Sequence, residues 1–389
     1  MKSRKLSGTR RRVSILGAAA TSVVAGVALL PNWSAGAAVT DDPTVDAGTK
    51  ATFQRLADAV FTDRTDALVT GKQGDREKPL TNGFSGDVKL SSTTARTEDS
   101  TLSSLGQRKD KLAKAGEKYS KAATTVTLNA TRVTGRTAKA AVTETTTLTY
   151  AQTTGSAPKT TGFQAQHELT FKADRQGNWQ LTDIRDTDQG GLAVNTLSKP
   201  ATVKATTADD TMPNAPRAAI TRNPVAVPKT GTAYDYKAMA TYAEKYWNVY
   251  NKDYPDFNNH TAGGDCTNFV SQSLKAGGWK HVPGYVYDYT KWFGNADIQS
   301  DSFVGVNEWS WFAQNSKRTT ALTNVYQLEV GDVLQMDFDR DGSKDHTMIV
   351  SYKANGVPYL TYHSNNTLRK SLTSLISQNP NAYYYAYRT

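Results

Sequence analysis

The chain has 389 residues and a single cysteine, Cys266, so it can form no internal disulfide. Its fold must therefore be held together by hydrophobic cores, and the spacing of apolar residues becomes the main guide to its structure. Roughly 350 residues follow an export-like N-terminus, a length sufficient for two domains with sizeable cores.

The first 38 residues have the pattern of a secretory signal peptide. A basic start without acids precedes an uncharged apolar run over 13–30, and "SAGAA" at 34–38 supplies small residues for cleavage. We therefore expect a secreted or cell-wall-associated protein, with a retained membrane anchor as the alternative. Because "TRRRVSIL" resembles a twin-arginine signal, export by either the general or the twin-arginine route is open.

The net charge of +10 includes the cations of this predicted signal, so the mature chain is only mildly basic. Its remaining Lys and Arg residues are scattered and carry no nucleic-acid motif, which predicts no nucleic-acid partner. The absence of a second apolar span predicts no membrane contact for the mature form.

The spacing of apolar residues along the chain predicts a small α+β domain over residues 45–190. Helical spacing from Phe53 to Leu68 and a less clear helix over 102–115 precede alternating strands that run from Val126 to Leu181. This element order is similar to that of cystatin-like and nuclear-transport-factor-like cones. His167 lies on an apolar face and is expected to be a core histidine.

Residues 191–230 carry five prolines among Ala, Thr and Lys, which predicts a semi-extended linker. Tyr, Trp, Asn and Gly then become frequent, and we place the second domain at 231–389. The predicted class of the whole chain is therefore α+β, with two domains joined by a linker.

The stretch "GGDCTNFVSQ" places Cys266 at the start of a predicted helix. Asp265 is a suitable N-cap, an apolar stripe follows, and Gly277 marks the end. The partial positive charge and free N–H groups of a helix N-terminus stabilise a thiolate, which would lower the pKa of the thiol. A small buried cysteine without chemistry is the alternative.

A thiolate nucleophile needs a base, and the base needs an orienting group. His346 opens the predicted strand "HTMIVSY", and His363 ends the strand "VPYLTYHS". A histidine at the head of one strand and a polar residue on its neighbour can both point toward a helix N-terminus. A strand-end histidine bound to a backbone carbonyl is the alternative for His346.

Three blocks together resemble a known family: "GGDCTNFVSQSLKAGGW", "LEVGDVLQMDFDRDGSKDHTMIVSY" and "YLTYHSNNTLRKSL". They are similar to the amidase domain of secreted Gram-positive bacterial proteins, a papain-like group related to the CHAP and NlpC-type cell-wall amidases. The resemblance covers 234–389 and implies a papain-like α+β cysteine amidase domain.

The resemblance implies that Cys266 is the nucleophile and His346 the general base. His363 stands where these folds place the orienting residue, with Asn365 as the competing candidate, and Asp265 with the Cys266 backbone N–H would shape the oxyanion site. Peptidoglycan peptides are the implied substrate. A non-catalytic wall-binding protein and an acyl transferase remain alternatives.

The segment "DFDRDGSKD" raises the possibility of a metal. Asp337, Asp339, Asp341 and Asp345 fit the first nine positions of a calcium loop, but Met348 stands at the twelfth, where such loops have Glu. We expect either weak calcium binding or an acidic turn between two strands. No other cofactor is expected.

Overall fold

The computed structural model describes residues 45–71, 88–153, 155–188, 193–197, 215–229, 234–258 and 264–389. The predicted signal peptide, 1–38, lies outside the described residues, as does part of the predicted linker.

The N-terminal half begins with two helices, α1 (Ala47–Asp66) and α2 (Ser92–Lys114), and the short strand β1 (Lys89–Leu90) lies before α2. Asp46 and Ser91 cap the two helices by accepting hydrogen bonds from the backbone N–H groups of Thr49 and Thr94. The cap at Ser91 starts α2 well before the stretch at 102–115 that the apolar spacing indicated.

Four antiparallel strands follow the helices: β2 (Tyr119–Thr134), β3 (Thr137–Tyr150), β4 (Thr160–Ala173) and β5 (Trp179–Asp186). The predicted change from helical to alternating spacing is therefore confirmed. Apolar side chains from one face of these strands pack with α1 around the stacked rings of Phe53 and Phe171.

Within its described residues, the C-terminal half contains five α-helices and six strands. They are α3 (Tyr236–Tyr246), α4 (Cys266–Ala276), α5 (Asp301–Val304), α6 (Val306–Asn315), β6 (Thr320–Leu322), β7 (Val333–Asp337), β8 (His346–Ala354), β9 (Val357–Tyr362), β10 (Asn366–Ser371), α7 (Leu372–Gln378) and β11 (Tyr383–Arg388). The strands β7 to β10 form consecutive antiparallel pairs, and β11 lies between β7 and β6.

The two halves share one sheet across the described residues. Strand β4 pairs with β10 near Phe163 and with β5 from His167 onward, so the order is β1-β5-β4-β10-β9-β8-β7-β11-β6. The side chains of Thr161 and Tyr150 also donate hydrogen bonds to backbone carbonyls of β10. The N-terminal half thus contacts the strand that immediately follows the predicted site residues.

The sheet of the C-terminal half has a core on each face. Met348, Val350 and Tyr362 belong to one core, whereas Ile349 packs with α4 in the other. This division follows from the alternation of side chains along β8 and β9. It decides which strand residues can face Cys266.

Described parts of the predicted linker pack against both halves. Ala193 and Val194 are buried in the N-terminal core, while Ala215 and Ala218 are buried in the two C-terminal cores. Lys229 forms an ion pair with the buried Asp332 at 2.7 Å. The predicted domain boundaries stay a prediction, but these linker residues pack against the N-terminal and C-terminal halves.

The structure confirms the predicted mixture of helices and strands, while the papain-like fold and the cone-like N-terminal domain stay predictions. None of the helices in the described ranges is long and apolar enough to cross a bilayer.

Candidate functional site

Cys266 is the first residue of α4, as the sequence predicted, and it follows Gly264 and Asp265 at the helix entrance. Gly264 has φ of +86°, a conformation in which a side chain would be strained. The glycine thus allows the chain to turn directly into the helix.

Asp265 occupies the N-cap position, but its side chain does not cap the helix. One carboxylate oxygen accepts hydrogen bonds from the backbone N–H of Phe257 and the side chain of Asn268, and the other lies 2.6 Å from Nδ1 of His363. The predicted capping hydrogen bond was therefore wrong, because other partners occupy this carboxylate. Asp265 instead connects α4 to two distant segments.

The Cys266 side chain is 2% exposed. Burial raises the pKa of the Cys266 thiol, and hydrogen bonds from the Thr347 backbone amide and the Thr267 hydroxyl oppose that rise only in part. The expectation of a lowered pKa considered the helix terminus alone and could not include burial. The thiol is therefore protonated in this conformation at neutral pH.

His346 is the first residue of β8, as predicted, but its ring faces away from α4. The neighbouring Thr347 contacts α4 through a 2.9 Å hydrogen bond between its hydroxyl and that of Thr267, so His346 lies on the opposite face of the strand. Its ring packs edge-on against Tyr362, with 5.0 Å between the centroids. No hydrogen bond joins His346 to Cys266 in the part of the chain that the structure describes, so the predicted pair is not formed here.

The His346 ring is buried, and its Nε2 has no hydrogen-bond partner among the described residues. Burial lowers the pKa of His346 to about 3, with a further contribution from the positive charge of Lys370. The imidazole is therefore neutral, and one of its nitrogens is unoccupied. An unoccupied nitrogen can accept a proton, but a pKa of about 3 makes His346 a weak base at neutral pH in this buried conformation.

His363 lies on the face that carries α4, where its ring stacks on Phe269 and is also close to Tyr250. Its Nδ1 contacts Asp265 at 2.6 Å, and its Nε2 lies 2.7 Å from the backbone carbonyl of Tyr246. Both ring nitrogens of His363 are therefore occupied by acceptor partners. His363 is thus bound to Asp265 and does not orient His346 in this structure.

Asn365 does not contact His346 either. Its amide donates a 3.3 Å hydrogen bond to Asp188 of the N-terminal half, and its carbonyl groups accept from Thr367. No sequence pattern predicted this contact, because Asp188 lies in a different half and outside any motif.

Ser364 is a site residue that the sequence analysis missed. Its hydroxyl accepts a 2.9 Å hydrogen bond from the backbone N–H of Asp265, and it lies between His363 and Asn365 in the chain. A serine in a polar turn has no local pattern that predicts a contact 99 residues away. Tyr362, which contacts the His346 ring, was missed because its position in a strand predicted only core packing.

The acidic turn brings together three of the four predicted calcium ligands. Carboxylate oxygens of Asp337, Asp339 and Asp345 lie within 4.8 Å of one another, and Asp341 is not in this group. Burial raises the pKa of Asp345 to about 6, and the neighbouring negative charges contribute to the rise. A bound cation would counteract that repulsion.

The same carboxylates also stabilise the turn itself. Asp337 accepts hydrogen bonds from the backbone N–H groups of Arg340 and Gly342, and Asp345 accepts one from Phe338 at 2.7 Å. These contacts account for the acidic residues as turn formers. Calcium binding stays a prediction.

The aromatic residues near α4 are mostly core residues. Trp309 is fully buried and stacks on Trp279, so it does not line a substrate groove in this structure. Trp311 is only partly buried and contacts Tyr289. Tyr285 and Tyr287 are largely exposed.

The comparisons with known proteins concern this C-terminal half. Residues 233–387 match the family described as "Putative amidase domain". The match includes the Cys266 helix, both histidine-bearing strands and the acidic turn, and it supports an amidase domain in this half of the chain.

Two curated relatives come from Bacillus subtilis (strain 168). The uncharacterized protein YhbB is 34% identical over 126 residues, which are 32% of this chain and 39% of the relative. The uncharacterized protein YjcM is 32% identical over 142 residues, which are 35% of this chain and 32% of the relative. The chain thus aligns with well under half of either relative, and no solved structure matches it significantly.

Proposed function

We propose that the protein is a secreted cysteine amidohydrolase in which Cys266 is the nucleophile. The observation that carries the proposal is the position of the thiol at the first residue of α4, inside the segment that matches an amidase family. Free backbone N–H groups at a helix N-terminus can stabilise both a thiolate and the oxyanion of a tetrahedral intermediate. We also propose a papain-like fold for this half, since α4 packs across an antiparallel sheet.

In the proposed reaction, His346 accepts the thiol proton while the sulfur of Cys266 attacks an amide carbonyl. His346 then protonates the leaving amine, and an acyl-enzyme forms. Water attacks the thioester with the help of the same imidazole and releases the acid, which regenerates the thiol. If an amine replaces water, the same steps produce acyl transfer.

We assign the base to His346 because its Nε2 is unoccupied, whereas both ring nitrogens of His363 have acceptor partners. The backbone amide of Thr347 contacts the Cys266 sulfur. Because Thr347 directly follows His346, the backbone of His346 is close to the thiol even though its ring is not. Because His346 lies on the face of β8 opposite α4, a productive arrangement requires the backbone at the start of β8 to rotate so that the ring leaves Tyr362 and reaches the thiol. We therefore propose that the described conformation is a resting state with both groups neutral.

Peptidoglycan stem or cross-bridge peptides are the proposed substrate, on the basis of the signal-like N-terminus and the family resemblance. The experiment is the release of new amino groups from purified cell walls by the mature protein and by Cys266→Ala. Removing the sulfur from the buried site should cost only about 1 kcal/mol of stability while it abolishes the release. Equal release by the two proteins would disprove the nucleophile, and cooperative thermal unfolding of the variant with only a small decrease in midpoint serves as the control.

A second candidate function is non-catalytic binding to the cell wall. The observation that favours it is that the Cys266 thiol is buried and forms no hydrogen bond with a histidine in the described ranges. Wall binding that is equal for the mature protein and Cys266→Ala, together with no amide cleavage by either, would favour this candidate.

A further inference from the structure

The connection between the two halves of the molecule reaches the candidate site directly. Asp188 follows β5 in the N-terminal half, and its carboxylate accepts hydrogen bonds from the backbone N–H of Gln166 and the side chain of Asn365. Asn365 belongs to the turn between β9 and β10, one residue after Ser364. The N-terminal half therefore holds a turn that also contacts the entrance of α4.

This turn has an unusual backbone. Ser364 has φ of +67° and Asn365 has φ of +100°, in the region that residues with a side chain adopt only at an energetic cost. Such conformations persist when surrounding contacts fix them. The hydrogen bond from Asn365 to Asp188 and the pairing of the next residue, Asn366, with Gln164 of β4 supply those contacts.

The turn between β9 and β10 also holds Asp265 in place. His363 contacts the Asp265 carboxylate, and the Ser364 hydroxyl accepts a hydrogen bond from the Asp265 backbone N–H. Asp265 immediately precedes Cys266. A continuous series of contacts thus leads from Asp188 through the turn to the first residue of α4.

We propose that Asp188 is a positioning residue for the candidate active site, which it stabilises by holding Asn365 and the turn that fixes Asp265 beside Cys266. The proposal rests on the proposed function for its catalytic consequence. It gives the N-terminal half a specific role, because a residue outside the amidase match completes the support of the nucleophile.

The first test is hydrogen exchange at the start of α4, which does not depend on catalysis. In Asp188→Ala, backbone amides of peptides that contain residues 264–270 should exchange about fivefold to tenfold faster, because one supporting hydrogen bond is lost. Asp188→Asn keeps an acceptor oxygen and should stay within about twofold of the parent protein. Asp183→Ala removes an exposed carboxylate from β5 and is the matched control.

The second test asks whether Asp188 acts through Asn365. Asn365→Ala should reproduce the faster exchange of Asp188→Ala, and the double variant should be no worse than either single one, since both changes break the same contact. Effects of the two single variants that add fully would contradict this link. Unchanged exchange in Asp188→Ala would overturn the proposal, and Asn365→Ala decides the question if Asp188→Ala does not fold.

The third test measures function through the acylation of Cys266 by p-nitrophenyl acetate. Asp188→Ala should lower the rate about fivefold, and Asp188→Asn should restore it. A full rate in Asp188→Ala, despite faster exchange, would contradict the catalytic part of the proposal. If the parent protein is not acylated at all, the proposed function fails, while the exchange data still decide the positioning role.

Discussion

The two candidate site histidines, His346 and His363, are both buried, yet they lie on opposite faces of the sheet and their surroundings differ completely. Both ring nitrogens of His363 contact acceptors, whereas Nε2 of His346 has no partner and the ring packs against Tyr362. The contacts of His363 with Asp265 and the Tyr246 carbonyl hold its ring in place. On this basis we propose His346, whose Nε2 has no partner among the described residues, as the base.

The largest expected effect separates the two histidines by activity. His346→Gln should lower the release of amino groups from cell walls by about 10²–10⁴-fold, because it removes the proposed base. His363→Asn keeps a hydrogen-bonding side chain near Asp265 and should lower it less than about tenfold. A larger loss in His363→Asn than in His346→Gln would reverse the assignment of the base.

For stability, we expect the substitution of His363 to have the larger effect and that of His346 the smaller one. His363→Leu should lower the free energy of unfolding by about 3–5 kcal/mol, because it leaves the buried Asp265 carboxylate without the ring nitrogen that contacts it at 2.6 Å. His346→Leu should change it by less than about 1 kcal/mol, because it removes a polar atom that has no partner. Urea unfolding of the two variants measures both values, and equal losses would contradict the comparison.

The pH dependence of stability sharpens the same contrast. The pKa of His346 is lowered to about 3, while an unfolded histidine has a pKa of about 6.5, so the unfolded chain binds more protons between these values. His346 therefore stabilises the fold fully above about pH 6.5 and progressively less as the pH falls toward 3. His346→Leu should flatten this part of the stability curve, and an unchanged slope would contradict it.

His167 in the N-terminal half should show the opposite sign. Burial alone would lower its pKa, but Asp186 and Glu144 contact its two ring nitrogens and raise the pKa to about 9. Its stabilising contribution is present below about pH 6.5 and is lost as the pH rises through about 9. The slope of stability between these values should disappear in His167→Gln, as measured by urea unfolding across alkaline pH.

The smallest expected effect concerns the acidic turn before His346. If calcium binds there with a dissociation constant of about 1 mM, calcium at about 10 mM should raise the free energy of unfolding by about 1.4 kcal/mol. The rise should be absent in Asp339→Asn, which removes one of the three grouped carboxylates. No difference between parent and variant, and no heat in a calorimetric titration, would leave the carboxylates as turn formers only.

Much of the fold follows from local sequence patterns. The change of apolar period at the end of α2 predicted the antiparallel strands, and "GGDCTNFVSQ" predicted the helix that starts at Cys266. These elements were predictable because helix caps and side-chain alternation act over a few residues. The pairing of β4 with β10 was not, since it joins segments about 200 residues apart and leaves no local trace.

The candidate site was predictable in its residues but not in their contacts. Cys266, His346 and His363 lie at the predicted ends of α4, β8 and β9. The side to which His346 points depends on which residue of β8 faces α4, and the apolar run "HTMIV" is buried on both faces and gives no sign of it. Burial likewise reverses the expected shift in the pKa of Cys266, because helix position alone does not reveal solvent exclusion.

The most direct measurement of the central claim is the acylation of Cys266 by p-nitrophenyl acetate in the mature protein, His346→Gln and His363→Asn. Release of p-nitrophenolate gives the rate, and peptide mass spectrometry locates the acetyl group. The account predicts acetylation at Cys266 in the mature protein, a rate about 100-fold lower in His346→Gln, and a much smaller change in His363→Asn. Acylation that is equally fast without His346, or that does not occur at Cys266, would contradict it.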